Sequence, residues 1–309
     1  MPSKILLVVV GPTAVGKTSL CLKLAKKFNT EIISADSRQF YKETEIGTAK
    51  PSPSELQEVP HHFIGHKSIF DSYDVKSFEK DTLKLLKSLF EFKNMVILTG
   101  GSGLFIDVVC EGMDEMPGVD PAIRKQLISD FTEKGLANLQ AELSRLDPLY
   151  YQQVDLNNPQ RLMRALEVCI ATGQPYSSFR KKKKANRPFH VIKIGLNRDR
   201  EELYQRIDLR MDQMITDGLF EEAASLFSNR HLNALQTVGY SEIFGFLEGK
   251  YDQEEAIRLL KRNSRRYAKR QLTWFRKDQD IEWFHPDQEK EIIAFVERQL
   301  HDPKDNEER

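Results

Sequence analysis

After Met1-Pro2-Ser3-Lys4 the chain enters an unbroken apolar run, Ile5-Leu6-Leu7-Val8-Val9-Val10. So short a continuous run predicts a strand buried on both faces, Lys4 to Val10. Ser19 to Phe28 follows with helical spacing, and Glu31 to Ala35 predicts a short second strand ending at Asp36. Val75 to Phe92 predicts a helix with Phe78, Leu85, Leu86 and Leu89 on one face. Met95 to Leu98 predicts another strand, running into the loop Thr99-Gly100-Gly101-Ser102-Gly103. Strands alternating with helices indicate an α/β fold, a parallel sheet with helices on both faces. The pattern changes at Met113. Ala122–Lys134, Leu136–Arg145 and Pro159–Thr172 carry helical periodicity, with no convincing strand among them. Gly173-Gln174-Pro175 stops the last of these helices. Phe189 to Leu196 alternates as a strand again. Helices then follow at Arg200–Asp217, Phe220–Phe227, Tyr240–Leu247 and Gln253–Lys277, before a last short strand, Asp280 to Phe284. The division expected is a discontinuous core, 1–112 and 188–309, interrupted by a mostly helical insertion domain, 113–187.

Composition narrows the class. The 309 residues are 40% hydrophobic and 30% charged, as expected of a globular protein. No apolar run approaches the ~20 residues that span a bilayer. The start lacks the basic, apolar and small-residue succession of a signal peptide. A cytoplasmic protein with no membrane partner, acting as a monomer, is the expectation. The three cysteines, Cys21, Cys110 and Cys169, are far apart and suggest neither a disulfide framework nor a zinc site. The formal net charge of zero hides asymmetry: Arg258 to Lys277 contains no acid, and Arg180 to Arg187 reads RKKKKANR. Concentrated positive segments in a neutral chain fit a polyanion bound at a defined place.

The first strand runs directly into Gly11-Pro12-Thr13-Ala14-Val15-Gly16-Lys17-Thr18. This is G-x-x-x-x-G-K-[ST] in its required setting, after a buried strand and before a helix, which makes the sheet P-loop NTPase-like. Gly11 and Gly16 permit the tight turn that aims successive N–H groups into one concavity. The following helix adds its N-terminal partial charge, Lys17 a full one, and the Thr18 hydroxyl can help hold Mg²⁺. At least two linked phosphates are expected there.

Which reaction follows is less direct. A P-loop hydrolase needs an acid at the end of an apolar strand, yet Met95–Leu98 ends in Thr-Gly-Gly and no Asn-Lys-x-Asp motif is present. Asp36 is the carboxylate at a strand tip. Mg²⁺ ligation, helix capping and service as a general base are all open to it. With Ser37, Arg38 and Gln39 it forms a tip whose groups can read a nucleobase edge. A P-loop kinase of a small metabolite shares these features and is the rival reading.

The runs Ser34-Ala35-Asp36-Ser37-Arg38-Gln39-Phe40-Tyr41, Ile46-Gly47-Thr48-Ala49-Lys50-Pro51 and Pro60-His61-His62-Phe63 resemble the tRNA dimethylallyltransferase (tRNA isopentenyltransferase) family, bacterial type. So do Gly100-Gly101-Ser102-Gly103-Leu104, Arg161–Val168 with Thr172-Gly173, Val238-Gly239-Tyr240 and Tyr267–Phe275. They span nearly the whole chain in order. Ser102 and Phe105 stand where the family usually has Thr and Tyr, and Glu45 where it has Asp.

The resemblance implies transfer of a dimethylallyl group from dimethylallyl diphosphate to N6 of the adenosine 3′ to the anticodon, with Mg²⁺ as cofactor. It implies Asp36, Thr13 and Arg206 as catalytic residues, and Gly11 to Thr18 with Arg210 as the diphosphate cradle. The i, i+4 spacing of Arg206 and Arg210 puts both on one helical face; a surface salt-bridged helix is the plainer alternative. Of the pair, Arg206 is the one the resemblance favours as the clamp. The resemblance also implies contacts to the tRNA anticodon stem-loop from Asp36, Ser37, Arg38, Gln39, Ser102, Arg124, Gln160, Arg161, Leu162, Met163, Arg164, Lys269 and Arg270. Lys181 to Lys184 read as a basic loop, and Trp274 reads as core rather than as a stacking surface.

Overall fold

The computed structural model describes residues 4–181 and 184–301. Lys182 and Lys183 of the basic loop, and the tail from Asp302, lie outside the described residues. Six strands form one parallel sheet: β1 (Ile5–Val10), β2 (Ile32–Ser34), β3 (His61–His62), β4 (Met95–Gly100), β5 (His190–Leu196) and β6 (Ile281–Phe284), in the order β3-β2-β4-β1-β5-β6. The apolar run that opens the chain is the middle of this sheet. Every residue of β1 is buried, which requires cover on both faces. β1 aligns Val8 with Leu98 of β4 and with Lys193 of β5.

Helices α1 (Lys17–Lys27), α2 (Pro53–Glu58), α3 (Val75–Leu89) and α4 (Gly103–Glu111) accompany the first four strands. The next five belong to a separate compact unit, residues 112–185: α5 (Pro121–Lys134), α6 (Leu136–Leu146), α7 (Pro148–Tyr151), α8 (Pro159–Thr172) and α9 (Tyr176–Phe179). That unit contains no strand among its described residues and has its own core of Leu127, Leu139, Leu143, Tyr150, Leu162 and Leu166. Local signals set its helix ends. The Asn158 side chain accepts from the Arg161 N–H ahead of Pro159 in the first turn, and Gly173 closes α8 in the left-handed region. The rest of the chain, up to Glu111 and from Asn186, is the sheet unit. It ends with α10 (Arg200–Thr216), α11 (Leu219–Leu226), α12 (Tyr240–Leu247), α13 (Gln253–Phe275) and α14 (Glu289–His301).

Several short elements carry no expectation from the sequence, α2, α7 and α9 among them, and so do β3, α4 and α14. β3 has two residues, too few for any period. α4 starts inside the stretch read as a glycine loop, because Gly100 completes β4 and Gly103 already opens the helix. α14 follows β6 with a stripe of apolar residues whose members Ile292 and Val296 are fully buried. All three cysteines are buried and unpaired, as small core residues. Among the described residues no helix is long and apolar enough to cross a membrane.

Candidate active site

Parallel sheets bind ligands beyond the carboxyl ends of their strands, and β1, β2 and β4 bring the motifs together there. Gly100 makes this possible: a Cβ at that position would lie 2.5 Å from the Ala35 carbonyl carbon. With no side chain between them, the tips of β2 and β4 close up. Ser102 then accepts from the Ser37 N–H at 3.1 Å, and the two hydroxyls are 3.1 Å apart. The hydroxyl that Ser102 shares with threonine is the group in use. Phe105 packs at 5.6 Å from Phe40 and 5.4 Å from Phe78, ring centre to ring centre, so its position is an apolar one.

An open cavity of about 530 Å³ lies at this edge. Thr13, Ala14, Gly16, Lys17 and Thr18 line one side. Gly11, Pro12 and Val15 are buried and do not line it, the Val15 side chain being part of the core. The Lys17 ammonium donates to the carbonyls of Gly11 at 2.9 Å and Pro12 at 2.8 Å. Burial pushes its pKa down to about 8 against the opposing charge of Asp36, with Arg210 lowering it further. No side chain caps the N-terminus of α1, which leaves its first N–H groups to a ligand. Thr18 is exposed at that end and lines the cavity.

Arg206 and Arg210 line the cavity from α10. Arg206 Nε donates to the Ala14 carbonyl at 3.0 Å, and Arg210 Nη1 to Thr13 Oγ1 at 3.4 Å. The ion pairs found among the described residues include neither, so the salt-bridged alternative for this face is not what the structure shows. Burial lowers the Arg210 pKa, Asp36 opposes the shift, and Arg206 adds to it. Asp36 is half-buried on the cavity wall, with Oδ1 accepting from the Arg38 N–H at 3.1 Å.

The remaining strand-tip residues, Ser37, Arg38 and Gln39, are already engaged within the protein. The Arg38 guanidinium donates to the carbonyls of Asn233 (2.7 Å) and Ala234 (3.2 Å). The Gln39 amide donates to Ala49 (3.0 Å) and Thr48 (3.3 Å) and accepts from Ser34 Oγ at 3.0 Å. These groups hold the walls, because a strand tip leaves unpaired carbonyls around it that must find donors. Asp36 keeps oxygen capacity for a ligand.

Two residues of α13 enter the site without having been assigned to it from the sequence. Buried Gln271 accepts from the Thr13 N–H at 2.9 Å and donates to the Gly101 carbonyl at 3.0 Å, bridging the phosphate loop to the end of β4. Tyr267, one turn earlier, lines the cavity; burial and then Asp36 raise the pKa of its phenol. The i, i+4 spacing of Tyr267 and Gln271, which puts both on one helical face, was the available signal. Trp274 packs inward, its Nε1–H donating to Asp107 at 2.9 Å, while Lys269 and Arg270 are exposed.

In the helical unit, Arg124 bonds Glu167 and donates to Gln160 at 2.6 Å, and Arg164 bonds the other Glu167 oxygen at 3.1 Å. Glu167 is 4% exposed, so one buried carboxylate fixes two guanidinium groups and, through Arg124, Gln160. Arg161 is exposed. Leu162 and Met163 depart from the expectation of side-chain contact. Both fall on the apolar stripe of α8 and lie in that unit's core at 0% and 2% exposure, so their side chains do not face RNA.

Comparison with known proteins agrees with this geometry. A family profile described as IPP transferase matches residues 39–278. The chain is 53% identical over 300 residues to the tRNA dimethylallyltransferase of Cytophaga hutchinsonii, covering 97% of this chain and 99% of that one. It is 50% identical to tRNA dimethylallyltransferase 1 of Bacteroides fragilis, covering 97% and 100%. Its structure is similar to the crystal structure of the full-length tRNA isopentenylpyrophosphate transferase of Bacillus halodurans, with a TM-score of 0.73, 36% identity, and 99% and 100% of the two chains covered. A eukaryotic dimethylallyltransferase acting on tRNA matches with a TM-score of 0.74 at 26% identity, over 92% of this chain and 74% of that one. The Gly11–Thr18 loop and Asp36 share one cavity, and with a profile match over residues 39–278 and relatives 50–53% identical over 97% of its length the chain belongs to the IPP transferase family.

Proposed function

We infer that the chain is a tRNA dimethylallyltransferase, moving the dimethylallyl group of dimethylallyl diphosphate onto N6 of the adenosine 3′ to the anticodon. The observation that carries the residue roles is the shared cavity. Thr13, Lys17, Arg206 and Arg210 gather positive and donor groups on one wall, and Asp36 lies on the same cavity. The N6 lone pair attacks C1 of the dimethylallyl group, and the C1–O bond electrons pass to the diphosphate. The departing proton of N6 goes to Asp36, acting as general base. Lys17, Thr13 and the two arginines meet the charge growing on the leaving oxygen, where pre-aimed donors lower the barrier most. The cradle thus holds a leaving group, and no hydrolytic water needs positioning. This fits the absence of an acid at the end of β4, where Thr99 instead bonds the Val9 carbonyl at 2.9 Å.

Thr18 fits Mg²⁺. It is exposed and offers one hydroxyl, and no cluster of three or more His, Cys, Asp or Glu among the described residues competes for the ion. An ion that keeps most of its waters and takes substrate phosphate oxygens needs no more. When bound there it would neutralise part of the diphosphate charge.

The target base is reached only after it leaves the stack, and Asp36 and Tyr267 line the place for it. Arg124, Gln160, Arg161 and Arg164 of the helical unit, and Lys269 and Arg270 of α13, contact the anticodon stem-loop. The enzyme works as a cytoplasmic monomer. The test is incorporation of labelled dimethylallyl diphosphate into unmodified tRNA with Mg²⁺, run beside an ATP-consumption assay. Label in tRNA without ATP use is expected. ATP turnover with small acceptors and no label would transfer the protein to the kinase class.

A further inference from the structure

The Ile46–Thr48 turn forms the wall beside Asp36, and what holds it comes from elsewhere in the chain. The turn has no side-chain cap of its own. Three successive N–H groups at its start converge on Glu222 of α11: Glu45 at 2.9 Å and Ile46 at 2.8 Å on Oε2, and Gly47 at 2.8 Å on Oε1. The Tyr240 hydroxyl gives Oε1 a second donor at 2.6 Å. Tyr240 is fully buried, and its ring occupies the space a Gly47 side chain would need, with a Cβ 2.5 Å from the ring carbon Cζ. Beyond the turn, Ala49 is held in the left-handed region at φ 49°, a conformation a side-chain-bearing residue keeps only where its surroundings impose it. Thr48 and Ala49 line the cavity together with Asp36, and their carbonyls receive the Gln39 amide.

We propose that Glu222 is a positioning residue for the adenosine side of the site, acting through this turn on the Ala49 wall and Gln39. The inference rests on the transferase reading. It deepens that reading by naming a carboxylate that does not line the cavity. A carboxylate is the side chain that can accept from donors on both oxygens at once. An amide in its place must turn its NH₂ toward two of these donors, whichever way it flips. The P-loop and Lys17 are built by β1 and α1 and make no hydrogen bond to Glu222.

The experiment compares wild type, Glu222→Gln and Tyr240→Phe. Tyr240→Phe keeps the ring beside Gly47 and removes one donor of the set. Three readouts are taken: hydrogen exchange of the peptide containing Glu45–Gly47, affinity for dimethylallyl diphosphate, and kcat on tRNA. Glu222→Gln is expected to speed exchange at that turn and to lower kcat at least about tenfold, since small displacements near reacting groups are costly. Diphosphate affinity is expected to stay within about twofold, and Tyr240→Phe to fall between the two proteins. Unchanged exchange, or unchanged kcat, overturns the proposal. Parallel loss of diphosphate affinity and kcat also overturns it, as general destabilisation. If wild type transfers no label, the transferase reading has failed instead, and the exchange readout still judges the clamp.

Discussion

Asp36 and Lys17 show how the same cavity acts on two single residues. Asp36 keeps accepting capacity beyond its bond to the Arg38 N–H, while its sequence neighbours are committed to the fold, so Asp36→Asn should cost about 10²- to 10⁴-fold in kcat, the usual worth of a positioned base. Binding of tRNA should change little. A large loss of tRNA affinity with turnover per complex intact would remove the general-base role. Burial holds Lys17 near 8 against an ordinary 10.5. Between those values the unfolded chain binds more protons than the folded one, so this group's contribution to stability rises with pH across that window. Ligand affinity runs the other way. The diphosphate needs the ammonium, so binding is full below pH 8 and weakens above it by up to about tenfold per pH unit. Titration with dimethylallyl diphosphate at about pH 7.5 and 9.5 should show a loss of roughly 10- to 30-fold. Lys17→Ala should bind weakly at both and be nearly flat; an equally flat wild type would mean that the arginines carry the charge alone.

At the scale of elements, the site depends on strand tips that approach more closely than side chains allow. Gly100→Ala puts a Cβ 2.5 Å from the Ala35 carbonyl carbon and must push β2 from β4. Such overpacking costs about 1–3 kcal/mol, so thermal unfolding should shift down and activity should fall with it, because Asp36 follows Ala35. A variant as stable and active as wild type would show that these tips have slack. α8 illustrates what periodicity reveals and what it leaves out. Its helical span, its Asn158 cap and its Gly173 stop are readable from residue order. The inward aim of Leu162 and Met163 follows from the same stripe, yet a motif read as one contiguous block put them with their charged neighbours. The pairing of Arg124 and Arg164 on Glu167 joins α5 to α8, and no local pattern carries it.

Across the whole molecule, a net charge of zero coexists with an RNA partner because charge is partitioned along the chain. In α13, Arg258, Lys261 and Arg265 are paired with Glu255, Asp212 and Asp208, whereas Lys269 and Arg270 lie exposed beyond them. Removing Lys269 and Arg270 together should weaken tRNA binding and reduce the slope of log K against log salt by about 1–2, the signature of lost phosphate contacts. An unchanged slope would remove them from the RNA surface. Sequence alone determined what short-range order can encode: the buried strands, the phosphate loop with its flanking elements, the helical character of the middle segment and the carboxylate at the tip of β2. Period and turn chemistry act over a few residues, and those signals are local. Tertiary structure decided what depends on residues far apart in the chain. Gln271 reaches Thr13, Glu222 holds the turn at Ile46, and Arg38 and Gln39 are drawn into hydrogen bonds with the walls. A buried polar group must find a partner wherever the fold brings one, and that partner is set by three-dimensional proximity, which one-dimensional spacing does not contain.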